Sequence, residues 1–168
     1  MGKTRTTRYL EHLLYKRMDF RKDFGCHEVT LGWFGKERVD FMLYTGSREF
    51  ICFEVKVSKS DFYSKSKVSF VGNKNYYVMP NELFEQVKQD IPSDIGCYVP
   101  INDQLFCIKR CKKRVLGRSK EILLSSLLRS MQREWLKSIG GYQNWAEKTI
   151  GNLGELKQYE KKEGTPKT

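Results

Sequence analysis

Asp40, Glu54 and Lys56 are the residues of this chain whose types and spacing point most directly to chemistry. They lie in Arg38-Val39-Asp40-Phe41-Met42-Leu43-Tyr44 and Phe50-Ile51-Cys52-Phe53-Glu54-Val55-Lys56-Val57, two strand-like stretches joined by Thr45-Gly46-Ser47-Arg48-Glu49. Side chains alternate faces along a strand, so Glu54 and Lys56 share one face while Ile51, Phe53, Val55 and Val57 share the other. A hairpin centred on Ser47 sets Tyr44 against Phe50, Met42 against Cys52 and Asp40 against Glu54. Val39, Phe41 and Leu43 then meet Val55, Phe53 and Ile51 on a wholly apolar side. A one-residue slip would bury the charges, so the hydrophobic pattern itself selects this pairing.

Two carboxylates directly opposite each other repel unless something positive sits between them. Lys56 is one candidate and a divalent cation is the other. Mg²⁺ takes one or two carboxylates together with waters and substrate phosphate oxygens, and Mn²⁺ can substitute for it. An ion held in this way activates water and offsets charge on a phosphodiester, while a neighbouring ammonium orients the nucleophile or stabilises the transition state. Asp40, Glu54 and Lys56 therefore suffice for hydrolytic phosphodiester cleavage. The simpler reading is that Lys56 neutralises two partly buried acids. The tripeptide alone decides nothing, because about 2.4 Asp/Glu-x-Lys matches are expected by chance. Three occur: Glu54-Val55-Lys56, Glu155-Leu156-Lys157 and Glu160-Lys161-Lys162. Only the first sits in a strand-like run with an aspartate on the partner strand.

The surrounding elements must hold that pair. Leu10, Leu13, Leu14 and Met18 follow helical spacing and predict a helix over 7–19. Strands are predicted over 27–33, 38–44 and 50–57. Ser58 to Asp61 supplies helix-start residues for a segment that ends at Gly72-Asn73, and Tyr76-Tyr77-Val78-Met79 reads as a strand stopped by Pro80. A helix follows over 81–89, then a hairpin of 96–99 and 105–109 around Asn102-Asp103. The order is helix, three strands, helix, strand, helix, hairpin, so the fold class is α/β with a mixed sheet flanked by helices. Residues 119–139 form a longer amphipathic helix, and from Lys157 onward the chain has little to bury. The expected division is a domain over 1–115 and a C-terminal amphipathic helix and polar tail over 116–168.

Asp40 followed by Glu54-Val55-Lys56, within this order of elements, resembles the PD-(D/E)XK nucleases. The continuation Val57-Ser58-Lys59-Ser60-Asp61-Phe62, with Lys74-Asn75-Tyr76-Tyr77-Val78-Met79-Pro80, is more particular and is similar to the MmcB-type DNA-repair nucleases. Holliday-junction resolvases and virus-type replication-repair nucleases are more distant relatives. The likeness covers about residues 7–110, and Val39 stands where the motif has proline. It implies a restriction-endonuclease-like core (αβββαβ) with a C-terminal helical extension, and a Mg²⁺-dependent DNA endonuclease acting in repair or recombination. It also implies a metal-binding role for Glu11 on the first helix; the plain alternative is a surface glutamate. Asp61 and Ser58 read as helix-start residues rather than ligands.

Composition agrees with an anionic partner. The chain has 168 residues with Lys plus Arg 31 against Asp plus Glu 20, a net charge of +11. Such a surface attracts nucleic acid first and an acidic membrane second. No apolar run approaches the ~20 residues of a spanning helix, and no strongly basic helix with a broad aromatic face supports a membrane-surface protein. The five cysteines are odd in number and irregularly spaced, as expected of reduced thiols in a cytoplasmic protein. Lysines and arginines concentrate over 56–74 and 109–120. Lys59, Lys65, Lys67, Lys74, Lys112, Lys113 and Arg114 are the expected DNA contacts, with Lys67 and Lys74 flanking the site. Such contacts position a backbone without reading sequence, which favours structure-selective cleavage. The alternative function is a non-catalytic nucleic-acid-binding module on the same fold. A homodimer would pair the 119–139 helix with its copy through Leu124, Leu128, Met131 and Trp135, unless that stripe packs on its own sheet.

Overall fold

Leu10, Leu13 and Leu14 give helix α1 (Arg5–Lys16) a single buried stripe. The hydroxyl of Thr4 accepts the N–H of Thr7 at 3.1 Å and starts the helix two residues before the predicted position. The computed structural model describes residues 3–33, 35–64, 68–142, 144, 145 and 148. The chain divides into two compact units, Met1–Ser130 and Met131–Thr168, and the sheet and site belong to the first.

Six strands follow: β1 (Phe24–Thr30), β2 (Arg38–Tyr44), β3 (Phe50–Val55), β4 (Lys74–Val78), β5 (Gly96–Ile101) and β6 (Gln104–Lys109). They lie side by side in chain order. β1, β2 and β3 are antiparallel, β3, β4 and β5 are parallel, and β6 returns antiparallel to β5. Helices α2 (Lys59–Phe62) and α3 (Asn81–Val87) occupy the two parallel connections, and α4 (Lys120–Ser138) comes last. The fold is thus α/β with a mixed sheet flanked by helices, as the element order predicts. Asn102 and Asp103 both take positive φ, 48° and 56°, in the predicted β5–β6 turn, a conformation that two-residue hairpins need.

One sheet face carries Phe41, Phe53, Val55, Tyr76 and Val78 against Leu10 and Leu14 of α1. The other carries Tyr77, Met79, Cys97 and Val99 against Leu83 and Val87 of α3. Leu123 and Leu127 of α4 are also buried, whereas Leu128 is exposed, so part of the α4 stripe is consumed within the chain. Cys26, Cys52 and Cys97 are buried free thiols. Burial pushes the Cys52 and Cys97 thiols up to about 12, which leaves them unreactive.

The crossover after β3 differs from the prediction of a helix reaching Gly72. Among the described residues of this crossover only Lys59–Phe62 is helical, and residues 68–73 run without helix directly over β3. A Cβ on Gly72 would lie 2.9 Å from the Phe50 carbonyl oxygen and 3.1 Å from the Cys52 nitrogen. Backbone this close to a strand leaves no room for a helix about 10 Å across. The buried Asn75 replaces the missing helical bonds: its Oδ1 accepts the N–H of Gly72 and its Nδ2 donates to the Gly72 carbonyl, both at 3.0 Å. Among the described residues no helix is long and apolar enough to cross a membrane.

Candidate functional site

The β2–β3 ladder pairs Tyr44 with Phe50, Met42 with Cys52, and Phe41 with Phe53, the register selected by the hydrophobic pattern. It stops one pair short of Asp40 and Glu54. Beyond Phe41 the Asp40 carboxylate replaces the ladder: its Oδ2 accepts the N–H of Val55 at 3.0 Å. That bond fixes Asp40 to the backbone beside Glu54, close enough for its charge to act on the Glu54 carboxyl. Glu54 is 5% exposed, and its Oε1 accepts the N–H of Ser69 at 3.3 Å from the segment lying over β3. Burial, and then the adjacent Asp40, hold the Glu54 carboxyl well above the usual carboxylate range. The charged form of Glu54 is therefore disfavoured in the folded chain unless further positive charge is brought beside it.

Lys56 is also 5% exposed, on the same face as Glu54. Its Nζ stands 3.5 Å from Asp61 Oδ1 and donates to the Asp61 carbonyl at 3.2 Å, while Asp61 Oδ2 accepts the Val57 N–H at 3.1 Å. Asp61 does start α2, as expected, with its own N–H donated to Ser58 Oγ at 3.1 Å. It is also the group that aims the lysine, a role the sequence pattern does not disclose. These residues line a cleft of about 570 Å³ that Lys36, Glu37, Arg38 and Thr30 close from the β1–β2 side.

Glu28 explains why the row across β1, β2 and β3 brings two acids to the cleft, Asp40 and Glu54, rather than three. It lies between the pairs His27↔Phe41 and Val29↔Val39, opposite Asp40, and regular pairing would place a third carboxylate in the row. Its φ is 52°, a left-handed conformation unusual for glutamate, and its Oε1 is held by Lys3 at 3.0 Å. Lys3 also donates to Glu11 at 2.6 Å. Glu11 is thus tied to an ammonium outside the cleft lining and is not brought together with Asp40 and Glu54. Among the described residues no group of three or more His, Cys, Asp and Glu side chains is arranged to hold a metal. Two carboxylates remain within what Mg²⁺ requires of a protein.

The expected backbone contacts separate into two ends of the sheet. Lys59 is exposed at the start of α2, beside the cleft end of β3. Lys74 instead begins β4 level with Ile51, and its Nζ bonds Glu49 at 2.6 Å. Parallel pairing forces this position, and it corrects the expectation that Lys74 flanks the site: Glu49 and Glu54 lie about 16 Å apart along the strand. Lys113 bonds the same Glu49 at 2.6 Å, Arg114 pairs with Asp94 at 3.1 Å, and the Lys112 N–H donates to the Asp94 carbonyl at 3.0 Å. Lys112, Lys113 and Arg114 therefore gather at the start of β5, away from the carboxylates. Lys65 and Lys67 lie outside the described residues. Besides Lys56, the cations the structure places at the cleft are Lys36 and Arg38, with Arg118 reaching it through Glu37 at 2.9 Å. Lys36 and Arg38 bracket the strand start two and four residues before Asp40, a signal that was legible but outside both lysine concentrations.

No protein-family model and no curated protein matches the chain. Among solved structures, a protein of unknown function from Silicibacter pomeroyi is similar to it, with 13% identity and a TM-score of 0.65. The match covers 80% of this chain and 92% of that one. At that identity the likeness extends to the fold alone.

Proposed function

We propose that this chain is a metal-dependent DNA endonuclease of the PD-(D/E)XK type, the superfamily that its Asp40 and Glu54-Val55-Lys56 pattern resembles. The observation that carries the reading is a buried Glu54 beside Asp40 and a buried Lys56, all opening on one cleft. Holding a half-buried acid against a buried one is costly in a purely structural role, where apolar residues would serve better. It is reasonable where a divalent cation offsets both charges. Asp40 and Glu54 fit Mg²⁺ or Mn²⁺, which would supply water activation and charge neutralisation at a phosphodiester. Asp40 is held in place by the Val55 N–H. Lys56, aimed by Asp61, orients the attacking water or stabilises the charge that develops on phosphate. Structure-selective cleavage in repair or recombination, in the cytoplasm, suits a basic chain whose backbone-directed cations carry no base information.

The test incubates the purified chain with duplex, nicked, flap, four-way and single-stranded DNA, and with RNA, in Mg²⁺, Mn²⁺ or EDTA. Cleavage of DNA in either metal and none in EDTA is the expected result. Binding without cleavage under every metal condition would leave a nucleic-acid-binding module on this fold and overturn the enzyme reading.

The two ends of the sheet make a second prediction. Lys36→Ala lowers the slope of log affinity against log salt by about 0.9, the weight of one phosphate contact. Lys74→Ala lowers it by less than half as much, because Lys74 is already spent on Glu49 at the far end of β3. Anisotropy titrations of a labelled duplex at several salt concentrations measure both.

A further inference from the structure

We propose that a hollow beside the carboxylate cleft receives one unpaired base of the nucleic acid, stacked on Trp33. This deepens the nuclease reading and rests on it for where the cleaved phosphate lies. Trp33 is 78% exposed in the β1–β2 connection. The backbone leading to it is nevertheless tied down. Ser126 Oγ accepts the Gly32 N–H at 3.0 Å, and Arg129 Nη2 donates to the carbonyls of Thr30 and Gly32 at 3.0 and 2.6 Å. The Arg129 guanidinium also stands 4.9 Å from the indole centroid. An aromatic ring presented to solvent on an anchored backbone, with a cation against it, is a stacking platform with little left to order on binding.

The hollow has a volume of about 520 Å³ and is lined by Trp33 and Ile122 with Lys36, Glu37 and Arg118. Gly35, Lys36 and Glu37 line both this hollow and the carboxylate cleft, so the two are continuous. A ligand spanning them needs a flat apolar face for the first and a phosphodiester for the second. A nucleotide within a strand has both. Glu37 does not oppose it, since its carboxylate is paired with Arg118 at 2.9 Å. A base still paired in a duplex must be unstacked to reach the indole, at a cost of a few kcal/mol, whereas an unpaired base need not be. The substrate class is therefore DNA with an unpaired nucleotide next to the cut, as at a flap or a single-strand to duplex junction.

The experiment uses the full chain carrying Trp135→Phe and Trp145→Phe, which leaves Trp33 as the one indole of three. In EDTA, a short oligothymidylate is expected to quench its fluorescence and a duplex of equal length to leave it unchanged. Trp33→Ala in the otherwise natural chain should lower the ratio of single-strand to duplex affinity by about 5- to 150-fold, the range one base stacked on an aromatic carries. Trp33→Phe should retain most of that ratio. Equal quenching by duplex, or an unchanged ratio in Trp33→Ala, overturns the base site and leaves a hollow suited to an apolar side chain of a protein partner. The same variants are then assayed on flap and plain duplex in Mn²⁺. Parent cleavage with an unaltered flap preference in Trp33→Ala sinks the base site and spares the nuclease. If the parent cuts nothing, the nuclease reading falls, and the titration in EDTA still decides the base site.

Discussion

Lys56→Met is expected to reduce metal-dependent DNA cleavage by about 10²- to 10³-fold, the loss that follows removal of one preorganised charge from a reacting centre. Methionine has nearly the reach of lysine without its ammonium, so the buried volume is kept. The partner left behind, Asp61, is 36% exposed and remains solvated, so no isolated buried charge is created. The variant should therefore melt within a few degrees of the parent and retain its affinity for DNA measured in EDTA. Lys56→Arg should not restore the rate, because a planar guanidinium does not occupy the position Asp61 sets for an ammonium. Cleavage that persists within tenfold of the parent would remove Lys56 from the chemistry and reduce it to a counter-ion for the acids. Single-turnover rates with protein in excess separate these outcomes from any change in DNA binding.

The pair and its lysine were legible because they rest on short-range rules. Strand alternation puts Glu54 and Lys56 on one face, and the apolar pattern leaves a single register for β2 and β3. The same rules could not show that the ladder stops at Phe41↔Phe53, since the Asp40 bond to the Val55 N–H depends on how the two strand ends separate. Glu28 was hidden for a related reason: a positive φ on a non-glycine residue inside a strand has no sequence signature. The seven cations over 109–120 form one patch in the sequence, yet Lys113, Arg114 and Arg118 are paired with Glu49, Asp94 and Glu37, which only the tertiary fold brings near them. Lys74 departs from its expected place because of topology. A residue near a motif in sequence lies far from it when an intervening crossover returns the chain to the opposite end of a parallel strand. Trp33 looked like the end of a strand, and its platform exists because Ser126 and Arg129, almost a hundred residues later, hold the connection in place.

Glu54→Gln tests the electrostatic argument independently of any nuclease assay. The Glu54 carboxyl is raised in the folded chain by burial and by Asp40, while in the unfolded chain it titrates near the ordinary value for glutamate. At pH below that ordinary value both states are protonated and the group's contribution to stability is fully present. As pH rises above it, the unfolded chain releases the proton and the folded chain keeps it. Folding stability then falls by up to about 1.4 kcal/mol per pH unit, until the folded group also ionises. Glutamine has no proton to lose, so the melting temperature of Glu54→Gln should rise above that of the metal-free parent as pH increases from 5 to 8. About 3–6 °C per pH unit is expected for a chain of this size, and the gap should close at pH 4. Scanning calorimetry in EDTA across that range measures it. Mg²⁺ or Mn²⁺ should then narrow the gap by stabilising the parent, with release of about one proton detectable by titration calorimetry in two buffers of different ionisation enthalpy. The variant should show neither the stabilisation nor the proton release, and should lose cleavage by at least about 10³-fold if the cation is essential to the step. A gap independent of pH would mean that Asp40 and Glu54 do not share a buried charge problem. Equal metal stabilisation of both proteins would place the cation somewhere other than between these two carboxylates.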